Sequence, residues 1–336
     1  MYEISIKGLT MANFYDIETS YIHRYSADVL HALQQKTTRL RNFVTNKPDC
    51  QGVAEFIDKI GTNEALDKVA RFADSPVQAI SHQRRRVSAQ PKNAGFFVEG
   101  FDTRRMNYDV FQPYAEATSM AMSRKMDAVI VDAAFGSAYE SDGGAMDGAT
   151  EIAWNSTNAP KSFIAKDFAF GTATDAMSGI NSSGSGGRTL SIDKLLKARR
   201  LLSEQEADQY DEGGNPLYFV VCSAAQIEAL LHSTQIQSSD YNNIRALVEG
   251  QTNYFAGFQF IRYESMPTTG SGTGLVEKVL AFHPEGLAFC SWLDPVTEIE
   301  RRADKSFVPY AYFEMDIGAT RVWEEMVIEI SCYQPA

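Results

Sequence analysis

The stretch from Pro113 to Phe135 constrains this chain more than any other, because no glycine and no second proline interrupts it before Gly136. Proline in a first turn presets φ and lacks an amide that would otherwise go unsatisfied. Glu116 adds favourable charge at the same end. The pattern predicts one helix over Pro113–Phe135, spanning about 35 Å at the usual rise per residue. Its apolar positions, among them Ala115, Met120, Met122, Met126, Val129, Ile130 and Ala134, wrap more than one stripe. Such a helix must be covered on several sides by the rest of the chain. The methionines are core filler, since no ligand pattern accompanies them.

The other segments are shorter and more mixed. Ile22, Tyr25, Val29, Leu33, Leu40 and Val44 predict a helix within Asp16–Val44, either an arm lying on another subunit or an N-terminal helix packed on its own chain. Residues 51–109 set small apolar groups among many charges, with Arg84, Arg85 and Arg86 consecutive and Arg104 and Arg105 beyond them. That is too little apolar material for a core of its own, so an extended excursion is expected, with a strand near Phe96–Asp102. A Gly/Ser/Asn-rich region follows from Gly136 to Gly187. A second helix is expected over Ile192–Asp208 with Ser191 as its cap. Leu217–Cys222 predicts a buried strand, and Ser223 with Gln226 a capping box opening a third helix. Further strands are expected at Phe258–Tyr263, Val276–Phe282, Leu287–Trp292 and Val327–Tyr333, giving a mixed α+β class.

No chemistry is signalled. Gly184–Thr189 lacks the Gly-Lys-Ser/Thr ending of a phosphate loop, and Gly270–Gly274 leads into a strand, where amides do not converge. His23, His31, His82, His232 and His283 show no metal-ligand spacing, and no serine sits in Gly-x-Ser-x-Gly. Glu324-Glu325, and Asp142 with Asp147, are paired carboxylates of an ordinary acidic surface. Catalytic, cofactor and metal residues are therefore expected to be none. Cys50, Cys222, Cys290 and Cys332 have neither redox nor metal spacing, and Cys222 and Cys332 sit in apolar runs as small buried hydrophobes. No apolar run is long enough for a membrane helix. Met1–Lys7 lacks the order of a signal peptide, so the expected location is the cytosol or a particle assembled there. A net charge of -12 opposes general nucleic-acid coating.

An ordered set of stretches carries a resemblance. Pro113-Tyr114-Ala115-Glu116 runs into Met126–Gly136, followed by Leu195–Leu202, Phe219-Val220-Val221-Cys222, Gly257-Phe258-Gln259-Phe260, Ala281–Ala288 and Gly318-Ala319-Thr320-Arg321. In order and spacing they resemble the major capsid proteins of tailed bacteriophages, the class with the Hong Kong 97 shell fold, over most of the chain after about Gly52. The resemblance implies an N-terminal arm (1–50), an extended β-hairpin loop lying over a neighbour (51–110) and a peripheral domain with a long spine helix (111–189). It implies an axial domain near the symmetry axes (190–282) and a return to the peripheral domain (283–336).

It also implies a homo-oligomer of hexamers and pentamers in an icosahedral head, located in the virion and assembled in the host cytoplasm. The implied partners are a separate scaffolding protein, a portal and a decoration protein, with packaged double-stranded DNA touched non-specifically and no membrane. An acidic subunit suits such a wall, since a basic one would trap the genome. Lys68 and Lys92 lie in the loop, but no asparagine or acid partner is identifiable, so no isopeptide crosslink is expected. Arg84, Arg85, Arg86, Arg104 and Arg105 are the subunit-interface candidates, because arginine clusters in an acidic protein suit the acidic surface of a neighbouring copy. Replacing the triple by alanine is expected to disrupt shells more than it unfolds monomers. Two other classes fit a chain without visible chemistry: a tail or baseplate structural protein, and a cytosolic α/β enzyme.

Overall fold

The computed structural model describes residues 34–61, 63, 65–67, 77–78, 80–105, 111–142, 150–154, 163–165, 189–205, 218–231, 254–270 and 275–334. A 3-10 turn at Arg41–Phe43 leads into β1 (Thr45–Lys47), β2 (Ala54–Ile60), β3 (His82–Ser88) and β4 (Gln90–Phe97). Next come α1 (Gly100–Arg105) and α2 (Phe111–Phe135), the long helix anticipated from its unbroken sequence. β5 (Ala138–Asp142), β6 (Thr150–Ile152) and β7 (Phe163–Ile164) precede α3 (Ile192–Ser203), β8 (Phe219–Cys222) and α4 (Ala224–Leu231). The chain closes with β9 (Tyr254–Phe255), β10 (Phe258–Arg262), β11 (Thr268–Thr269), β12 (Val276–Phe282), β13 (Leu287–Arg302), β14 (Val308–Arg321) and β15 (Val327–Tyr333).

Three sheets result. One has the order β7-β15-β12-β8-β10-β9, with β11 on β12; a second is β1-β13-β14-β4; the third is β2-β3-β5-β6. The first is buried on both faces, and strand alternation divides its side chains between two cores. Phe219, Val221, Leu280, Phe282 and Val327 join the core beneath α2, with Met126, Ile130, Phe289, Phe313 and Ile317. Their neighbours Val220, Cys222, Val279, Ala281, Ile328 and Ile330 face the other way, onto Leu195, Ala198, Leu202 and Leu230 of α3 and α4. The run Phe-Val-Val-Cys is apolar throughout because both of its faces are covered.

The second sheet leaves the body. β13 is buried from Leu287 to Ser291 and exposed from Leu293 to Arg302. Between these halves the register against β14 shifts twice, at Ser291/Leu293 and Leu293/Val296, and Pro295 sits in the interruption, where its missing N–H costs no ladder bond. At Gly318 this sheet comes close to the third: a Cβ there would lie 2.5 Å from the Ser88 carbonyl. At the far end of the β13–β14 hairpin Ser306 and Phe307 both have positive φ, and the Phe307 ring is 67% exposed.

Several expectations need correction. Residues 34–40 are irregular and only Arg41–Phe43 turns, so the described part of the segment expected as a helix over Asp16–Val44 is not one. The reason is Asp127 of α2, whose carboxylate accepts the amides of Arg39 and Leu40 and the side-chain amide of Gln35, taking donors a helix would have used internally. Residues 16–33 lie outside the described residues, as do 184–188 and 271–274 of the two glycine clusters.

Neither expected cap forms. Ser191 makes no side-chain cap bond. Ser223 and Gln226 both donate to the buried Glu277, leaving the amide of Ala224 to the Glu264 carboxylate. α3 stops at Ser203, and the strand expected over Leu287–Trp292 continues to Arg302.

Asp127 is the arm's main polar anchor. Burial pushes its carboxyl above the usual carboxylate range, opposed by the N–H groups that favour the charged form. Asp127→Ala is expected to cost about 2 kcal/mol by orphaning the Arg39 and Leu40 amides, Leu40 being fully buried. Denaturant unfolding of the isolated chain measures this, with proteolysis near residue 40 accelerated in parallel. An unchanged midpoint would mean that the arm is held by packing alone.

Candidate functional site

Strand alternation decides what the arginine triple does. On β3, Arg85 and Val87 point inward, while Arg84 and Ser88 are exposed and Arg86 is half-buried. Arg84 lies opposite Asp58 of β2 and pairs with it at 2.6 Å in the open. Arg86 borders a small cavity with Asp132 and Tyr139. Arg85, by contrast, has a side chain only 1% exposed. Its guanidinium lies 3.1 Å from Glu324 and 3.8 Å from Glu140, and its Nε donates to the Val322 carbonyl at 3.2 Å. The expectation that all three arginines face a neighbour therefore fails for Arg85, which is turned into its own subunit. Arg104 and Arg105 stand exposed in the last turn of α1.

Arg85 belongs to a buried knot of charge where the third sheet, the end of α2 and the turn before β15 meet. Glu140 is its register partner on β5, and Lys59 of β2 reaches the same carboxylate at 3.5 Å while lying over the Trp323 ring. Arg321, at the end of β14, pairs with Glu324. It donates to the carbonyls of Ala134 at 2.9 Å, Gly136 at 2.8 Å and Ile152 at 3.4 Å, and stacks over Trp154.

Three cations thus face two carboxylates. The surplus positive charge lies against the carbonyl end of α2, where the helix dipole supplies negative potential. Burial, and then the neighbouring Arg85, hold the Lys59 ammonium below its usual range, and burial does the same to Arg321. The knot binds the loop sheet to the end of the long helix.

A cleft of about 500 Å³ between the arm and α2 is lined by Gln35, Arg39, Arg124, Lys125, Tyr263 and Glu264. Its arginines hold the chain together: Arg124 donates to Gln34 at 2.6 Å and Arg39 to the Arg262 carbonyl at 2.5 Å. Among the described residues no group of three or more His, Cys, Asp or Glu could hold a metal, and no helix is long and apolar enough to cross a membrane. His283 is buried, which lowers its pKa, and its Nδ1 accepts the Glu285 amide.

The residues that build the knot carried little signal. Glu324 stood out only as half of an acidic pair, and Lys59, Glu140 and Arg321 need the fold before they meet. Exposed apolar side chains gather elsewhere: Val53, Ile60, Leu66, Val77 and Ile80 along the β2–β3 excursion, and Val296, Ile299 and Phe307 on the projecting hairpin. The far half of β13 pairs with β14 alone and β2 with β3 alone, so the outer edge of each has no strand partner among the described residues.

A family model described as phage capsid protein matches residues 17–334. The fold is similar to that in the capsid of Ralstonia phage GP4, with TM-score 0.68 at 12% identity over 99% of each chain. The capsid of cyanophage P-SCSP1u gives TM-score 0.65 at 13% identity over 95% of each chain. A chain of Mycobacterium phage Che8 gives TM-score 0.62 at 16% identity, covering 93% of this chain and 97% of that one. No curated protein matches this chain.

The exposed Arg84 and the buried Arg85 are expected to respond differently to substitution. Arg85→Ala is expected to cost about 3 kcal/mol, because two glutamates lose their central partner inside the protein. Arg84→Ala should change stability by no more than about 0.5 kcal/mol. Urea unfolding of the two variants measures the difference, and equal midpoints would contradict the buried knot.

Proposed function

The chain belongs to the phage capsid protein family, and we propose that it closes a head shell around double-stranded DNA by assembling as hexamers and pentamers of itself. It is a structural subunit of the capsid, located in the virion. The reading rests on the family match over residues 17–334. It is supported by an architecture in which a loop sheet and a long hairpin with an exposed far half extend beyond the two packed cores. Such a subunit works through contacts and performs no reaction of its own. The tail or baseplate alternative would call for a ring or tube of one fixed symmetry.

The segments then take their roles by position: arm 1–50, extended loop 51–110, peripheral domain 111–189, axial domain 190–282 and peripheral return 283–336. The two-sided sheet β7-β15-β12-β8-β10-β9, with α3 and α4 on one face, crosses the boundary between the axial and returning segments. The loop sheet and hairpin offer neighbours unpaired strand edges and scattered apolar side chains, and many weak contacts of this kind add cooperatively in a closed assembly. Arg84, Arg104 and Arg105 set register against acidic surfaces of neighbouring copies; Arg85 holds the loop from inside. A separate scaffolding protein, a portal and a decoration protein complete the particle, and DNA is touched only non-specifically by a subunit of net charge -12.

Negative-stain electron microscopy of the purified chain, alone and with its scaffolding protein, tests this. Closed shells or six- and five-membered rings are expected, and the double variant R104E/R105E should remain folded yet fail to form them. Compact monomers from the unmodified chain in both preparations would refute the shell reading.

A further inference from the structure

We propose that Cys50 and Cys290 are a thiol pair that oxidises to a disulfide within one subunit, welding the end of the arm to the central strand of the second sheet. The inference concerns each chain by itself and stands whether or not a shell forms. β1 runs parallel to β13 with Lys47 opposite Cys290. After Pro48 the chain turns at Asp49, whose φ of 57° is a left-handed value that a residue with a side chain adopts at a cost of about 1 kcal/mol. The turn returns Cys50 to the same strand, where its amide donates to the Ser291 carbonyl at 3.1 Å and its thiol to the Lys47 carbonyl at 3.3 Å. The Lys47–Glu55 pair at 2.6 Å ties the start of the turn to β2.

The two thiols are thereby brought into one small buried cluster with Val87, against which Ile57 and Trp292 pack. Cys222 and Cys332 are equally buried but stand on β8 and β15, with β12 between them. They make an internal control for ordinary apolar cysteines.

The pair is asymmetric in a way that orders the chemistry. Cys50 is 8% exposed and Cys290 fully covered. Burial pushes the Cys290 thiol up to about 12, with Cys50 beside it adding to the shift. A small-molecule disulfide such as oxidised glutathione therefore meets Cys50 first. The Cys50 sulfur attacks, the glutathione S–S bond breaks, and one glutathione leaves as a thiolate that takes the Cys50 proton. The Cys290 sulfur then attacks the Cys50 sulfur of the mixed disulfide. The second glutathione leaves and takes up the Cys290 proton. Two protein thiols lose two electrons, and one glutathione disulfide becomes two thiols. The bond closes a loop of roughly 240 residues, a length at which a crosslink strongly restricts the unfolded chain.

The test uses the full chain, incubated with oxidised glutathione or fully reduced, followed by peptide mapping without reductant and by thermal unfolding. The expected result is a linked Cys50–Cys290 peptide, two remaining free thiols of the original four, and a melting temperature raised by several degrees. Cys50→Ser should abolish both the link and the shift, and Cys222→Ala should keep both. Cys50→Ser changes the more accessible member, so the test survives if Cys290→Ala fails to fold. Four free thiols after oxidation, glutathione retained on Cys50 with Cys290 free, or a link without a rise in melting temperature would each overturn the proposal.

Discussion

A charged group buried in protein costs several kcal/mol unless partners replace its water. The knot formed by Arg85, Arg321, Lys59, Glu140 and Glu324 meets that condition only when four separate pieces of chain arrive together. β2 and β3 bring Lys59 and Arg85, β5 brings Glu140, and the end of β14 with the turn after it brings Arg321 and Glu324. The end of α2 supplies carbonyls for the excess positive charge. Apolar packing would join these pieces in many orientations, whereas directional hydrogen bonds allow few. The knot therefore fixes the angle at which the loop sheet leaves the spine helix.

The same logic operates at the arm. Asp127 sits within the buried stretch of α2, and it directs the chain entering at Arg39 and Leu40 along the helix. A rigid helix, with a loop fixed at one end and an arm fixed along its side, gives a body that can tilt as a unit. The outer edges of β2 and of the far half of β13 have no strand partner among the described residues. A capsid subunit that must close into a shell needs this division between a stiff body and adaptable margins.

Much of this was legible in the sequence, and the exceptions share one cause. The long helix announced itself because nothing interrupts Pro113–Phe135, and Val276–Phe282 and Val327–Tyr333 were visible as apolar runs because both their faces are buried. The arginine triple misled because three consecutive charges suggest one patch, while a strand sends alternate residues to opposite faces. The β13–β14 hairpin was missed because Pro295 and Pro309 look like breakers, and only the paired strand reveals a bulge. Ser223 and Gln226 have the spacing of a capping box, but Glu277, distant in sequence, competes for both and wins. Local pattern is reliable where one segment settles its own energetics; it fails where a partner far along the chain does.

In the assembly proposed above, a body locked by the buried knot presents the outer edges of β2 and of the far half of β13 to neighbouring copies. Hydrogen–deuterium exchange of free subunits and of purified shells tests it most directly. The outward-facing amides of residues 54–60 and 293–302 are expected to exchange quickly in the free chain and to slow markedly on assembly. Residues 127–134 of the spine helix should be slow in both states. Equal exchange of 54–60 and 293–302 in free and assembled chains would contradict it.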